Sequence, residues 1–144
     1  MSLRSSPRQK RIEQLRRAAA AQGVKVQLAR RADARDDERS LDSVSYRLPW
    51  GPVEPKEFRP WTLVQNNQRG METQWGDWRW FKGPSSVPVE RELGALLEQL
   101  PPGVTALLAD RAGVVVHWTE EGEEQQVDAI VEGLKAVRKL MLSQ

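Results

Sequence analysis

Tryptophan and arginine side chains are concentrated in the middle of the sequence. Five of the six tryptophans fall between residues 50 and 80, and arginines are interleaved with them. Aromatic rings beside cations can bind a sugar, a peptide or stacked bases. This pattern predicts a binding surface formed by Trp50, Trp75, Trp78, Arg79 and Trp80. The alternative, which we favour because buried aromatics are the commoner use, is that the tryptophans fill a thin core.

The N-terminal part of the chain carries a strong positive charge. Residues 1–35 contain ten Lys or Arg and two acidic residues, a balance of +8, whereas residues 36–144 contain twelve basic and eighteen acidic residues, a balance of −6. A basic helix can contact nucleic-acid phosphates or an anionic membrane surface. It can also be a solvated helix that docks one narrow apolar stripe. The candidate contact residues are Arg8, Lys10, Arg11, Arg16 and Arg17.

We expect the basic helix to serve a membrane surface more than nucleic acid. The acidic body would repel a phosphate backbone, and no familiar base-reading or RNA-binding signature is present. Anionic lipid attracts basic residues without any such recognition element.

Catalytic chemistry has little support in the sequence. His117 is the only histidine and lies within an apolar run, so a site with several histidine ligands is excluded. The chain has no cysteine, and we find no glycine-rich phosphate loop, nucleophile elbow or zinc-protease motif. We therefore predict a non-catalytic protein with no metal site and no cofactor, in which His117 occupies a core or rim position.

The most regular pattern lies between Gly103 and Leu142. Two apolar runs, 103–109 and 114–118, flank Asp110-Arg-Ala-Gly113, a turn sequence that predicts a β-hairpin. Both runs are apolar on both faces, which places them inside a sheet rather than at its edge. A helical stripe follows and should cover this sheet: Val127, Ile130, Val131, Leu134, Val137 and Met141.

The remaining elements are predicted from turn and capping residues. Ser6-Pro7 begins a helix that Gly23 ends, and Pro88 begins another that stops before Pro101. Strands are expected at 24–28, 44–48 and 61–65. Residues 30–43 are expected to form a charged, exposed loop, and residues 49–60, with four prolines, an extended crossing loop.

The segment between residues 66 and 81 has alternative interpretations. Asn67-Gln-Arg-Gly70 has the same type of turn signature, so residues 71–75 should fold back beside strand 61–65. Gly76-Asp77 is either a tight turn or a bulge. Residues 78–81 accordingly complete the pairing or extend the same strand.

Together these elements predict a single α+β domain over residues 1–144, with helices packed on a mainly antiparallel sheet of five to six strands in the order α-β-β-β-β-α-β-β-α. A basic N-terminal helical arm occupies about residues 4–22. No apolar run approaches the ~20 residues of a membrane-spanning helix.

A family resemblance adds an expectation about location. Ser6-Pro7-Arg8 followed by Ile12, Leu15 and Ala19, then 23–26, and Leu48-Pro49-Trp50 before a Trp-rich middle, resembles the soluble domain of short single-span proteobacterial membrane proteins of unknown function. The resemblance implies an anchor upstream of Ser5 and a position at the cytoplasmic face of the inner membrane. Without such an anchor, the expected location is the cytoplasm.

We therefore expect a non-catalytic interaction or assembly domain with an unidentified protein partner and an anionic membrane surface beside it. The alternative is nucleic-acid binding through the basic arm and the Trp/Arg-rich middle.

Overall fold

Two adjacent hairpin strands form the centre of one antiparallel sheet. The computed structural model describes residues 6–56, 58–65 and 68–144. Its elements are α1 (Pro7–Ala21), β1 (Lys25–Ala29), β2 (Ser43–Leu48), β3 (Trp61–Gln65), β4 (Met71–Glu72), β5 (Trp78–Lys82), α2 (Val87–Gln99), β6 (Val104–Asp110), β7 (Gly113–Trp118) and α3 (Glu124–Leu142).

The sheet has the strand order β1-β2-β7-β6-β3-β5-β4, and every pair of neighbours is antiparallel. The α+β prediction is confirmed. The described part of the chain contains seven strands, slightly more than the five to six expected. The hairpin strands β6 and β7 are interior strands, as their two apolar faces predict.

The turn between β6 and β7 depends on the two residues that define its sequence signature. The Asp110 carboxylate accepts a hydrogen bond from the backbone N–H of Ala112 at 2.8 Å. Gly113 has a φ of 143°, and a Cβ there would lie 2.2 Å from the carbonyl oxygen of Leu48 on β2. The absence of a side chain at residue 113 therefore lets β2 pair closely with β7.

All three helices contribute to a layer in which α3 is central. Helix α3 contacts α1, α2, β2 and β7. All six residues of its predicted stripe are buried, and Leu134 is completely inaccessible. The facing side chains of the sheet include Tyr46, Leu63, Leu107 and Val116, which join the same apolar cluster. The core is therefore the space between one face of the sheet and this helix layer.

Helix α1 begins and ends where the sequence indicates. The Ser6 hydroxyl accepts a hydrogen bond from the Gln9 backbone N–H, and the Gln9 side chain accepts one from the Ser6 N–H. This reciprocal capping box satisfies two backbone groups that a helix start leaves open. The buried face consists of Leu15 and Ala19.

The strand beside β3 is β5, so the prediction that residues 71–75 occupy this position is wrong. Strand β4 contains only two residues and pairs with the outer side of β5. The backbone N–H of Trp78 donates to the Trp75 carbonyl at 3.3 Å, which makes Gly76-Asp77 a tight turn rather than a bulge. The more apolar run takes the inner position because its side chains are buried there.

Asn67, at which a turn is predicted to begin, lies outside the described residues. Residues 49–60 contain no helix or strand among those described, in agreement with the four prolines.

Candidate functional site

Most tryptophans of the predicted binding surface belong to the core. Trp50, Trp78 and Trp80 are 5–7% exposed. Their rings pack against other apolar side chains of the cluster, so they do not present an open stacking surface. These three tryptophans are therefore core residues, in agreement with the interpretation that the tryptophans fill the core.

The other two residues of the predicted binding surface, Trp75 and Arg79, lie in different surroundings. Trp75 is half-buried beside α2, where a Cβ at Gly94 would lie 2.6 Å from its Nε1. Its ring meets that of Trp80 edge-on at 5.9 Å. Arg79 alternates with Trp78 and Trp80 along β5, and its Nη2 lies 3.7 Å from Glu72 Oε1. The structure therefore separates Arg79 from the aromatic cluster by placing it on the opposite face of the sheet.

Two arginines attach the basic helix α1 to the body of the domain. Arg16 Nε and Nη2 donate to the two carboxylate oxygens of Glu120 at 2.9 and 2.7 Å. The Tyr46 hydroxyl donates to the same carboxylate at 2.8 Å. Arg11 Nη1 donates to the carbonyl oxygens of Glu120 and Gly122 at 2.9 and 2.6 Å. These bonds join α1 to β2 and to the segment between β7 and α3.

Glu120 is an internal residue of this attachment. It is 3% exposed and has a φ of 63°, an unusual backbone conformation for a residue with a side chain. Its hydrogen bond raises the pKa of Arg16. Burial, followed by the bond to Glu120, raises the pKa of Tyr46. The two raised pKa values favour a charged Arg16 and a protonated Tyr46 beside Glu120.

The five residues predicted for membrane or anion contact fall into two groups. Arg11 and Arg16 make the internal bonds, whereas Arg8, Lys10 and Arg17 are exposed. Lys10 and Arg17 are separated by about two helical turns and lie on one side of α1. Two of these five positive charges therefore face the protein's own oxygen atoms.

Loop 30–42, which joins β1 to β2, has a defined shape of its own. Its ends are held together by the pairing of Ala29 with Ser43. The Arg30 side chain donates to the carbonyl oxygens of Glu38, at 2.7 Å, and Arg35. A compact segment with close ends that is packed by its own side chains is an Ω-loop.

The rest of the protein holds loop 30–42 from outside. Arg69 Nη1 donates to the Asp33 carbonyl at 2.9 Å and to Glu38 Oε1 at 2.5 Å. Asp33 is 2% exposed, so the prediction of an exposed loop is corrected at this residue. Its carboxylate pairs with Arg31 through two hydrogen bonds of 3.0 Å each. The burial of a charged residue is tolerated because it is paired.

A cleft of about 530 Å³ lies between loop 30–42 and the ends of four strands. Its charged residues are Arg31, Asp33 and Asp42. Its uncharged lining residues come from the loop, β2, β3, β6, β7 and the residue after β7: Ala32, Ser43, Val44, Val64, Gln65, Thr105, Ala106, Trp118 and Thr119. The cleft therefore combines carboxylates and hydroxyls with an apolar wall.

His117 lies beside this region, within hydrogen-bonding distance of a cleft residue. Its Nδ1 is 2.7 Å from Ser43 Oγ. Burial lowers the pKa of His117 to about 4; nearby Asp33 raises this pKa and Arg47 lowers it. The neutral imidazole is a weak base at pH 7, and its bond to Ser43 satisfies a buried polar group.

Asp33, Ser43, Tyr46 and Glu120 were not identified as interacting residues by sequence reasoning. Asp33, Ser43 and Glu120 occur in segments that resemble solvated surface, and Tyr46 belongs to an ordinary alternating strand. The partners of Ser43, Tyr46 and Glu120 are distant in the sequence, so no local pattern indicates these pairs. Asp33 pairs with Arg31, two positions away, but nothing in the charged segment distinguishes this pair from solvated charges.

The described residues contain no group of three or more side chains suited to hold a metal ion, and within them no helix has the length and apolarity needed to cross a membrane. We found no match to the chain among protein-family models, curated proteins or solved structures. The resemblance to single-span membrane proteins therefore stays a prediction.

Replacing Arg16 with Ala should destabilise the fold because it leaves the Glu120 carboxylate buried without its cation. Arg16 is 39% exposed and Glu120 3%. We therefore expect a loss of about 2 kcal/mol, between about 1 for a surface pair and about 3–5 for a buried pair. Urea unfolding measures the change. The control Arg17→Ala removes an exposed charge from the same helix and should change stability little. Equal losses in the two variants would contradict the attachment.

His117 should make folding stability depend on pH. Its folded-state pKa of about 4 lies below the unfolded value of about 6.5. Between these values the unfolded chain binds a proton that the folded chain does not, so stability falls as the pH is lowered from about 6.5 to about 4, by about 3 kcal/mol at most. Urea unfolding at several pH values should show a shallower decline for His117→Gln. Parallel profiles would contradict this assignment.

Proposed function

We propose that the chain is a non-catalytic protein-interaction domain and that loop 30–42, with the cleft beside it, is the surface that binds the partner. The main support for this proposal is that hydrogen bonds hold the loop in a defined shape while several of its side chains are exposed to solvent. Arg30 holds the loop backbone from within, and Arg69 holds the Asp33 carbonyl and the Glu38 side chain from outside the loop. The exposed side chains of the loop include Arg35, Asp36, Asp37, Arg39 and Leu41.

A preformed loop suits recognition for an energetic reason. Ordering a flexible segment on binding reduces affinity, whereas a segment that already has its bound shape avoids much of that loss. Leu41 is 61% exposed, and a partner would remove its apolar surface from water. Exposed charges of both signs beside Leu41 can add specificity to the contact.

The chemistry beside the loop supports a binding role rather than catalysis. The serine nearest to the only histidine is hydrogen-bonded to a buried imidazole whose pKa is about 4. A general base is most effective with a pKa near the working pH.

The proposal also includes a position beside an anionic membrane surface. Exposed Arg8, Lys10 and Arg17 support this part, because basic residues near anionic lipid each gain about 1 kcal/mol. Nucleic-acid binding is the alternative. It is less favoured because the aromatic residues required for base stacking are mostly buried.

A photo-cross-linking amino acid at residue 41 should test the interaction surface in cells. We expect one reproducible cross-linked partner from this position. The same amino acid at Val53, which is 62% exposed and lies in another loop, is the matched control and should not capture that partner. Arg30→Gln, which removes hydrogen bonds inside the loop, should weaken the cross-link without unfolding the sheet. Equal capture from residues 41 and 53 would contradict the proposal.

Replacing Arg8, Lys10 and Arg17 together with Gln should test the membrane part. We expect weaker sedimentation with anionic vesicles at physiological salt and unchanged urea unfolding, because these side chains are exposed. Binding to DNA and RNA is measured in parallel. Micromolar nucleic-acid binding that the substitutions remove, with no vesicle binding by the unsubstituted chain, would instead support the alternative.

A further inference from the structure

The buried carboxylate of Asp33 forms an ion pair with an exposed arginine, Arg31. The side chain of Asp33 is 3% exposed, whereas that of Arg31 is 58% exposed. The two carboxylate oxygens accept from Arg31 Nε and Nη2 at 3.0 Å each. A guanidinium is planar and presents paired donors that match both oxygens of a carboxylate. Asp33 therefore already binds a guanidinium in its preferred geometry.

The cleft is suited to a basic side chain in charge as well as in geometry. Its lining contains two carboxylates, Asp33 and Asp42, and one cation, Arg31. If Arg31 turned outward, the charged lining would consist of carboxylates alone. Such a lining attracts a cation and repels an anion.

The uncharged part of the lining matches the aliphatic stem of an arginine. Ala32 and Val44 are partly exposed and provide apolar surface in the lining. Arginine buries its methylene groups against apolar surface while its guanidinium reaches a polar partner. The volume of about 530 Å³ leaves room for one long side chain.

We propose that this cleft is a binding site for an arginine side chain of a partner protein and that Arg31 takes the place of that side chain in the free domain. Binding exchanges one guanidinium for another on Asp33, so the buried carboxylate is never left unpaired. This inference rests on the proposed interaction function in one respect only: a partner protein must supply the arginine. The preference of the cleft for a guanidinium does not depend on that function.

The test uses the full chain and ethylguanidinium as the probe. Arg31→Ala should have a lower melting temperature than the unsubstituted chain, and millimolar ethylguanidinium chloride should raise it again. Ligand binding to the folded state alone produces such a rise. The rise should be absent in Arg31→Ala/Asp33→Asn and much smaller with ethylammonium or tetramethylammonium chloride. Arg39→Ala is the matched control because it removes an exposed arginine from the same loop.

A second measurement follows binding directly. Titration with N-acetyl-arginine amide, followed by NMR, should give an affinity about tenfold higher for Arg31→Ala than for the unsubstituted chain, because Arg31 no longer competes. If Arg31→Ala does not fold alone, ethylguanidinium should restore its helical circular dichroism. A response to ethylguanidinium no larger than that of Arg39→Ala, or no recovery of an unfolded Arg31→Ala, would overturn the proposal.

The results separate this proposal from the broader one. If residue 41 cross-links a partner but ethylguanidinium does not raise the melting temperature of Arg31→Ala, the interaction function is supported and the arginine site is contradicted. Guanidinium rescue without a cross-linked partner would retain the binding site and remove loop 30–42 as the surface for a partner protein.

Discussion

The buried Glu120 carboxylate constrains the arrangement of several elements at once. It binds Arg16 of α1 and Tyr46 of β2, and its own backbone carbonyl accepts from Arg11. An unpaired carboxylate at this depth would be costly, so the helix that supplies its cation must remain docked. The N-terminal helix is thereby held against the rest of the domain, and the two arginines that dock it already donate to the domain's own oxygen atoms.

The aromatic residues stabilise the other end of the domain. Trp75, Trp80 and Trp61 form two successive edge-on contacts at 5.9 Å, and Trp61 Nε1 donates to the sulfur of Met141 on α3 at 3.4 Å. Gly94 lets Trp75 approach α2 closely. This chain of contacts connects the β4–β5 hairpin with two helices. The tryptophans that resemble a ligand platform in the sequence thus bind the layers of the protein to one another.

Charge is organised differently in loop 30–42. Arg30 pairs with backbone carbonyls, Asp33 with Arg31 and Glu38 with Arg69, while other charged side chains of the loop remain in solvent. The loop and the cleft lie where β1 turns into β2, outside the apolar core between sheet and helices. A binding surface at this position can have a fixed shape without any demand on the packing of the core.

Local patterns in the sequence determined the helices, most of the strands, the β6–β7 turn and the α+β class. These features depend on residues a few positions apart, such as Ser6 with Gln9 and Asp110 with Ala112. Tertiary structure decided which run lies beside β3, because Trp78–Lys82 and residues 71–75 have similar local signals and differ in what they can bury. It also decided that Arg16 meets Glu120 and that Ser43 meets His117. Such pairs join residues that are far apart in the chain, and their energy comes from shared burial, which no short sequence pattern records.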